Sequence, residues 1–233
     1  MYPAHRQASD AQRDDVWRRL CERQRPAIAR GMCREFVEGL GRVAFDPARM
    51  PRHAELSRAL FDVCGWRIET VPGLIPARDF FALLRDRRFP SPDWIRHPDD
   101  LEYTPEPDLF HDVFGHVPQL ASPSISCALA AMAERARDAS DSELAELERV
   151  YWFTIEFGLV RESGAVRALG AGLASSIAEL ARALADPAVE RRSFTFEGAR
   201  RTLFDPTAPQ PVYMIATSIR SLVAEMETRA EAG

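Results

Sequence analysis

A mainly α, single-domain fold with a few short β-strands is what this sequence predicts, and three observations predict it. Apolar residues recur at helical spacing through most of the chain, in stretches bounded by Pro, Gly or a Ser/Asp cap. Extended candidates are only three and short, too few for a central parallel sheet. The 233 residues are 46% hydrophobic, with no repeat, low-complexity linker or long charge block to divide them. A chain of this length folded as one unit buries about 70% of the surface its unfolded form exposes.

Residues 1–9 are polar and read as a flexible N-terminus ahead of a domain spanning 10–233. Asp10 is placed to cap a first helix that carries Val16, Trp17, Leu20 and Cys21 on one face. Further helices are expected near 26–41, 52–63 (stopped by Gly65), 77–88, 107–115, 123–138, 141–161, 173–185 and 212–229. Extended pieces are expected at 66–71, 93–97 and 194–196, where β-branched or aromatic residues sit between turn formers. Seventeen prolines imply many fixed loops between helices, the segments on which functional residues tend to gather.

A net charge of -5 provides no basic field for nucleic acid or anionic lipid, so small molecules are the expected partners. Cys21, Cys33, Cys64 and Cys127 are widely spaced, lack any CxxC pair, and read as reduced, mostly packed thiols. The N-terminal residues show no apolar signal-like core, and no stretch approaches eighteen uninterrupted apolar residues. A cytoplasmic protein with no membrane contact is the resulting expectation.

The chemistry concentrates in two segments. His111 and His116 lie five residues apart in Phe-His-Asp-Val-Phe-Gly-His-Val-Pro, and Glu156 follows in Tyr-Trp-Phe-Thr-Ile-Glu-Phe-Gly. Two imidazoles and one carboxylate can hold one face of a metal and leave the other positions open, as a non-heme Fe(II) centre that accepts oxygen requires. On a straight helix an i,i+5 pair is separated by about 140° around the axis. A helix ending near Gly115 would let His116 swing toward His111. Glu156 then arrives from another helix. A carboxylate among Phe153, Ile155 and Phe157 is costly to bury without a cation. Two other readings stay open on these residues: a zinc hydrolase with a metal-bound water as nucleophile, and histidines that are merely packed.

Taken together, Val71-Pro-Gly-Leu-Ile-Pro-Ala-Arg-Asp-Phe80, Trp94-Ile-Arg-His97, the run from 103 to 118, the run from 151 to 159 and Gly170-Ala-Gly-Leu-Ala-Ser-Ser176 resemble the pterin-dependent aromatic amino acid hydroxylases, and within them the short bacterial phenylalanine 4-hydroxylases. The resemblance runs from Val16 to Ile219. It implies a basket-like helical catalytic domain with Fe(II) on His111, His116 and Glu156. It also implies tetrahydrobiopterin or a related tetrahydropterin as electron donor. One oxygen atom would enter the ring of phenylalanine and the other would leave on the pterin. The same chemistry on tryptophan, or at another ring position of phenylalanine, is the alternative within the family.

The resemblance extends to individual side chains. Arg96 matches the arginine that holds the substrate carboxylate, a task suited to a planar guanidinium. Thr104 and Ser175 match positions lining the amino acid site, and Trp152 and Phe157 match aromatics around the substrate ring. Phe80 matches the ring that stacks on the pterin, with Gly73 and Ile75 in the preceding loop offering backbone groups to its edge. Asp112 stands where the animal enzymes carry Glu, near pterin. Glu106 reads as a supporting carboxylate rather than a ligand. The animal enzymes carry a regulatory domain and a tetramerising helix that this sequence does not show, which makes a monomer the expectation. The segment from Phe204 to Pro211 is proline-rich and neighbours the part of the site that tunes substrate choice.

Overall fold

The computed structural model describes residues 9–102, 104 and 106–228. The N-terminal stretch expected to be flexible lies, apart from Ser9, outside the described residues. Helix α1 (Asp10–Gly31) is capped by Ser9 rather than Asp10, in a box where the Ser9 hydroxyl accepts from Gln12 N–H and the Gln12 side chain accepts from Ser9 N–H. Pro26 does not open a second helix, as expected, but sits inside this one. The break comes later, where Cys33 N–H donates to Ala168 O at 2.8 Å and draws the chain to a sheet edge. Helices α2 (Arg34–Val43) and α3 (His53–Cys64) follow, the latter ended by Gly65 at φ 76°, a left-handed cap that favours glycine.

Strand β1 (Arg67–Thr70) falls where an extended piece was expected. Helix α4 (Ala77–Arg85) is shorter than predicted, because residues 88–91 form β2 (Arg88–Ser91), paired parallel to β1. Residues 93–97 are not a strand. That segment bonds to the next one through Leu109 N–H to Trp94 O and Arg96 N–H to Asp108, each at 2.9 Å. Two π-helical turns then appear, His111–His116 and Trp152–Glu156. Between them come α5 (Val117–Leu120), α6 (Pro123–Arg135) and α7 (Asp141–Tyr151).

The helix expected over 141–161 stops at Glu156, and Leu159–Glu162 becomes β3, turning back into β4 (Ala165–Ala168). Ser163 and Gly164 both have positive φ, the two-residue turn whose twist matches a hairpin. Helices α8 (Ala171–Ser175) and α9 (Ile177–Ala185) divide at Ser176, whose hydroxyl caps α9. Strand β5 (Glu190–Ser193) precedes the extended stretch predicted at 194–196, where Thr195 instead caps α10 (Phe196–Arg201). The predicted helix over 212–229 is wrong at its start. Residues Val212–Ala216 form β6, buried along its whole length between β3 and β5, and only Ile219–Thr228 is helical, as α11. A five-residue apolar run buried on both faces shows no alternation, so periodicity cannot tell it from a buried helix.

The helices dominate, as predicted, yet the strands form a four-stranded sheet in the order β4-β3-β6-β5, with β3 and β5 both parallel to β6. One continuous apolar core, including Trp17, Phe36, Phe110, Val113, Phe153 and Tyr213, joins helices to sheet. Helix α2 packs on α5, and α8 packs on the first π turn. None of the helices described is long and apolar enough to cross a membrane. No disulfide joins the four cysteines, and burial pushes the thiols of Cys21 and Cys33 up to about 12, so both are inert.

Candidate active site

The two π turns solve the spacing problem of His111 and His116. Closing i→i+5 hydrogen bonds widens each helical ring, so residues five apart come onto nearly one face. The helix therefore does not end at Gly115; it runs on into α5. Gly115 matters for a different reason: a Cβ there would lie 2.8 Å from Ala171 O, and its absence lets α8 close on the first π turn. The second π turn, with Phe157 N–H bonded to Trp152 O at 2.9 Å, delivers Glu156 at its C-terminal end. Gly170 holds that end in place, since a Cβ there would fall 2.2 Å from Glu156 O.

His111 Nε2, His116 Nε2 and the Glu156 carboxylate converge. His116 Nε2 is 3.0 Å from Glu156 Oε1, His111 Nε2 is 3.5 Å from Glu156 Oε2, and the two Nε2 atoms are 3.2 Å apart. Ligand bonds of about 2.1 Å place neighbouring ligand atoms about 3.0 Å apart at right angles and about 3.4 Å apart at tetrahedral angles. The three separations span that interval, so one ion fits among these atoms; distances fix the site's size and its three-ligand face rather than the element. His116 is 2% exposed while His111 and Glu156 each keep 14%, so the open positions lie on the side of the latter two.

The electrostatics ask for a cation. Burial alone would raise the Glu156 carboxyl, but the charges and hydrogen bonds of His116 and His111 overcome it and hold the group well below the usual carboxylate range. Burial disfavours a charged His111, and the bond and charge of Glu156 outweigh it, raising the imidazole above its ordinary value. Burial pushes the carboxyl of Asp112 up to about 6 against the pull of His111 and His116. A trio that keeps positive charge beside an ionised carboxylate is one that a divalent ion can occupy.

Around the trio, the predicted residues take these positions. Arg96 is buried and bound through Nε and Nη2 to Asp108 Oδ2 and Oδ1 at 2.8 and 2.9 Å. Among the described residues, its Nη1 makes a 3.5 Å contact with Leu101 O. Ser175 places its hydroxyl 2.9 Å from His111 Nδ1, so it sits against a metal-ligand candidate. Trp152 lies between Phe157, at 4.8 Å between centroids, and Phe204, stacked at 4.1 Å, and its Nε1 donates to Gln210 Oε1 at 2.9 Å. Phe80 meets Tyr151 edge-to-face at 5.2 Å, and Tyr151 stacks on His116 at 6.1 Å. Gly73 and Ile75 are half-buried in the irregular stretch before α4, where a Cβ on Gly73 would lie 3.3 Å from Glu106 Oε2. Thr104 donates to Glu106 O at 3.0 Å, and Asp112 is buried beside Ser91.

Two participants escaped sequence reasoning. Asp108, fully buried, accepts from Arg96 and also from the backbone N–H of His111 at 3.0 Å. Its signal was present, since an Asp three residues before a helical His is an N-cap pattern. Gln119 reaches His116 Nδ1 at 3.2 Å; a polar residue three positions along, in apolar Val-Pro-Gln-Leu, was the available clue.

Comparisons with known proteins identify the chain's relatives. The family described as biopterin-dependent aromatic amino acid hydroxylase matches residues 8–232. A phenylalanine-4-hydroxylase of Caulobacter vibrioides is 41% identical over 209 residues, covering 89% of this chain and 71% of that protein. The phenylalanine-4-hydroxylase of Pseudomonas aeruginosa is 36% identical over 207 residues, covering 89% and 79%. Among solved structures, Chromobacterium violaceum phenylalanine hydroxylase with bound iron(III) and 7,8-dihydrobiopterin superposes with a TM-score of 0.90 at 35% identity, over 96% of this chain and 82% of that one. The apo form of the cold-active enzyme from Colwellia psychrerythraea gives 0.88 at 32% identity, over 97% and 91%.

Proposed function

The chain belongs to the biopterin-dependent aromatic amino acid hydroxylase family, and from that premise we infer that it is a phenylalanine 4-monooxygenase, converting L-phenylalanine to L-tyrosine with dioxygen, Fe(II) and a tetrahydropterin. The observation that carries this reading is the convergence of His111, His116 and Glu156, all within 4.8 Å of one another, in a chain so similar to phenylalanine hydroxylases. Iron and pterin, when bound, supply the activation of dioxygen. The protein's own residues hold, orient and enclose.

His111, His116 and Glu156 would hold the metal, a three-ligand set that would leave positions open for oxygen. Arg96 receives the substrate carboxylate: Asp108 fixes its plane through two bonds, and Nη1 retains donor capacity. Thr104 bonds the polar end of the amino acid. Trp152 and Phe157 form apolar walls for the ring, the former steadied by Phe204 and Gln210. Phe80 would stack on a bound pterin, Gly73 and Ile75 would offer backbone groups to its edge, and Asp112, next to the first ligand residue, would bind it as well. Ser175 orients His111. Residues 10–233 act as one catalytic domain in a cytoplasmic monomer whose partners are small molecules. A net charge of -5 supports the absence of nucleic acid and anionic membrane among them.

The deciding assay loads purified protein with Fe(II) and follows phenylalanine by chromatography. Tyrosine should form only when a tetrahydropterin is present, and His111→Ala or Glu156→Ala should stop it. Turnover without pterin would overturn the reaction class; meta-tyrosine as product, or preference for tryptophan in competition, would overturn the substrate assignment alone.

A further inference from the structure

We propose that Gln119 is a positioning residue that fixes the tautomer and orientation of His116 and buckles it to the segment carrying Glu156. The inference rests on the iron site described above and adds a part to it. Gln119 is 1% exposed, and its side-chain amide is fully engaged. Its Nε2 donates to Ile155 O at 2.8 Å and to Leu169 O at 2.9 Å, which takes both amide hydrogens. Turning the amide over would set its oxygen against two carbonyls and lose both bonds, so the orientation is decided by the backbone rather than by His116.

What remains for His116 is Oε1, an atom that can only accept. Nδ1, 3.2 Å away, must therefore carry a hydrogen, and in the neutral imidazole the lone pair is left on Nε2, the atom that faces Glu156 and His111. The Tyr151 hydroxyl lies farther from Nδ1, at 3.5 Å, and can donate or accept, so it imposes no such choice. The Ser175 hydroxyl, 2.9 Å from both His111 Nδ1 and Ala171 O, can likewise donate or accept at His111 and imposes no such choice there.

Gln119 does more than Ser175 because of where its other bonds go. Ile155 immediately precedes Glu156 in the second π turn. Leu169 immediately precedes Gly170, against whose missing Cβ the Glu156 carbonyl packs. One amide thus ties the first π turn, the second π turn and the end of β4, the pieces whose mutual placement sets the separations among the three ligand atoms. Groups that orient metal-bound histidines this way are typically worth about 10–100-fold in metal affinity.

The test uses Gln119→Met, which keeps length and apolar volume but removes every hydrogen bond. Fe(II) affinity is measured by competition with a colorimetric chelator and is expected to fall about 10–100-fold. In Co(II)-loaded protein, the exchangeable imidazole N–H signals of both ligands should be protected from solvent in wild type, and only that of His116 should exchange rapidly in the variant. A folded variant with unchanged affinity and an unchanged His116 signal would mean that Gln119 only fills space, and the proposal would be overturned. If the variant does not fold, the wild-type spectrum still decides: a His116 N–H that exchanges freely refutes the proposal, and a protected one supports it. Failure of the wild type to bind Fe(II) or Co(II) at all would sink the iron reading itself, a separate outcome from equal affinities.

Discussion

Asp108→Ala is the most demanding perturbation of this site. It removes the partner of Arg96, in a pair whose side chains are 7% and 0% exposed, and it also takes the acceptor of two backbone N–H groups, those of Arg96 and His111. An uncompensated guanidinium in that position should cost about 3–5 kcal/mol, the range for breaking one side of a buried pair. For a chain of this size each kcal/mol moves the melting temperature by about 2–4 °C, so the expected loss is about 6–20 °C. Because Arg96 also loses the fork that sets its plane, KM for phenylalanine should rise in any protein that remains folded. Urea unfolding and steady-state kinetics on the same preparation measure both effects. A folded Asp108→Ala protein that loses less than about 1 kcal/mol, with KM for phenylalanine unchanged, would refute the reasoning.

Further expectations follow from the same coordinates. Below the ordinary Asp value of about 3.9 the contribution of Asp108 should fade, because Arg96 and the backbone donors outweigh burial and depress its folded-state pKa; the stability gap between wild type and Asp108→Asn should be constant above about pH 5 and close as pH falls through the folded value. Gly39→Ala would drive a Cβ to 2.0 Å from Pro118 O and push α2 off α5, costing about 1–3 kcal/mol, whereas Gly41→Ala on the same helix meets nothing within 4 Å and should stabilise by up to about 1 kcal/mol; paired denaturation curves check both. Phe80→Ala should raise KM for the tetrahydropterin about 5–150-fold, from lost stacking of about 1–3 kcal/mol, while Fe(II) affinity measured by chelator competition stays as in wild type.

Much of the site was legible in the sequence because its chemistry is spelled in residue types that are costly to bury without a partner. Glu156 among aromatics demanded a cation, and the histidines of the other motif could supply its remaining ligands. The geometry that unites them was not legible: periodicity presumes the regular α-helix, and the π turns at 111–116 and 152–156 depart from it by one residue per ring. The same limit hid β6, whose residues are apolar throughout, and the β3–β4 hairpin, where Ser163-Gly164 was the overlooked turn signal. Arg96 was singled out through its motif, but nothing along the chain disclosed that Asp108, twelve residues on, bonds its guanidinium.

By itself the sequence determined the helical class and singled out the candidate donors His111, His116 and Glu156, because burial cost and ligand chemistry are properties of residue types and their local order. Only the tertiary structure decided that three candidate ligand atoms come within 3.5 Å of their neighbours, that the Nε2 atom of each histidine is the one turned toward Glu156, and that Gln119 lies against His116 Nδ1 and Asp108 against the His111 N–H. Those facts depend on backbone carbonyls and N–H groups that every residue carries alike, so they leave no mark in the order of side chains until the chain is folded.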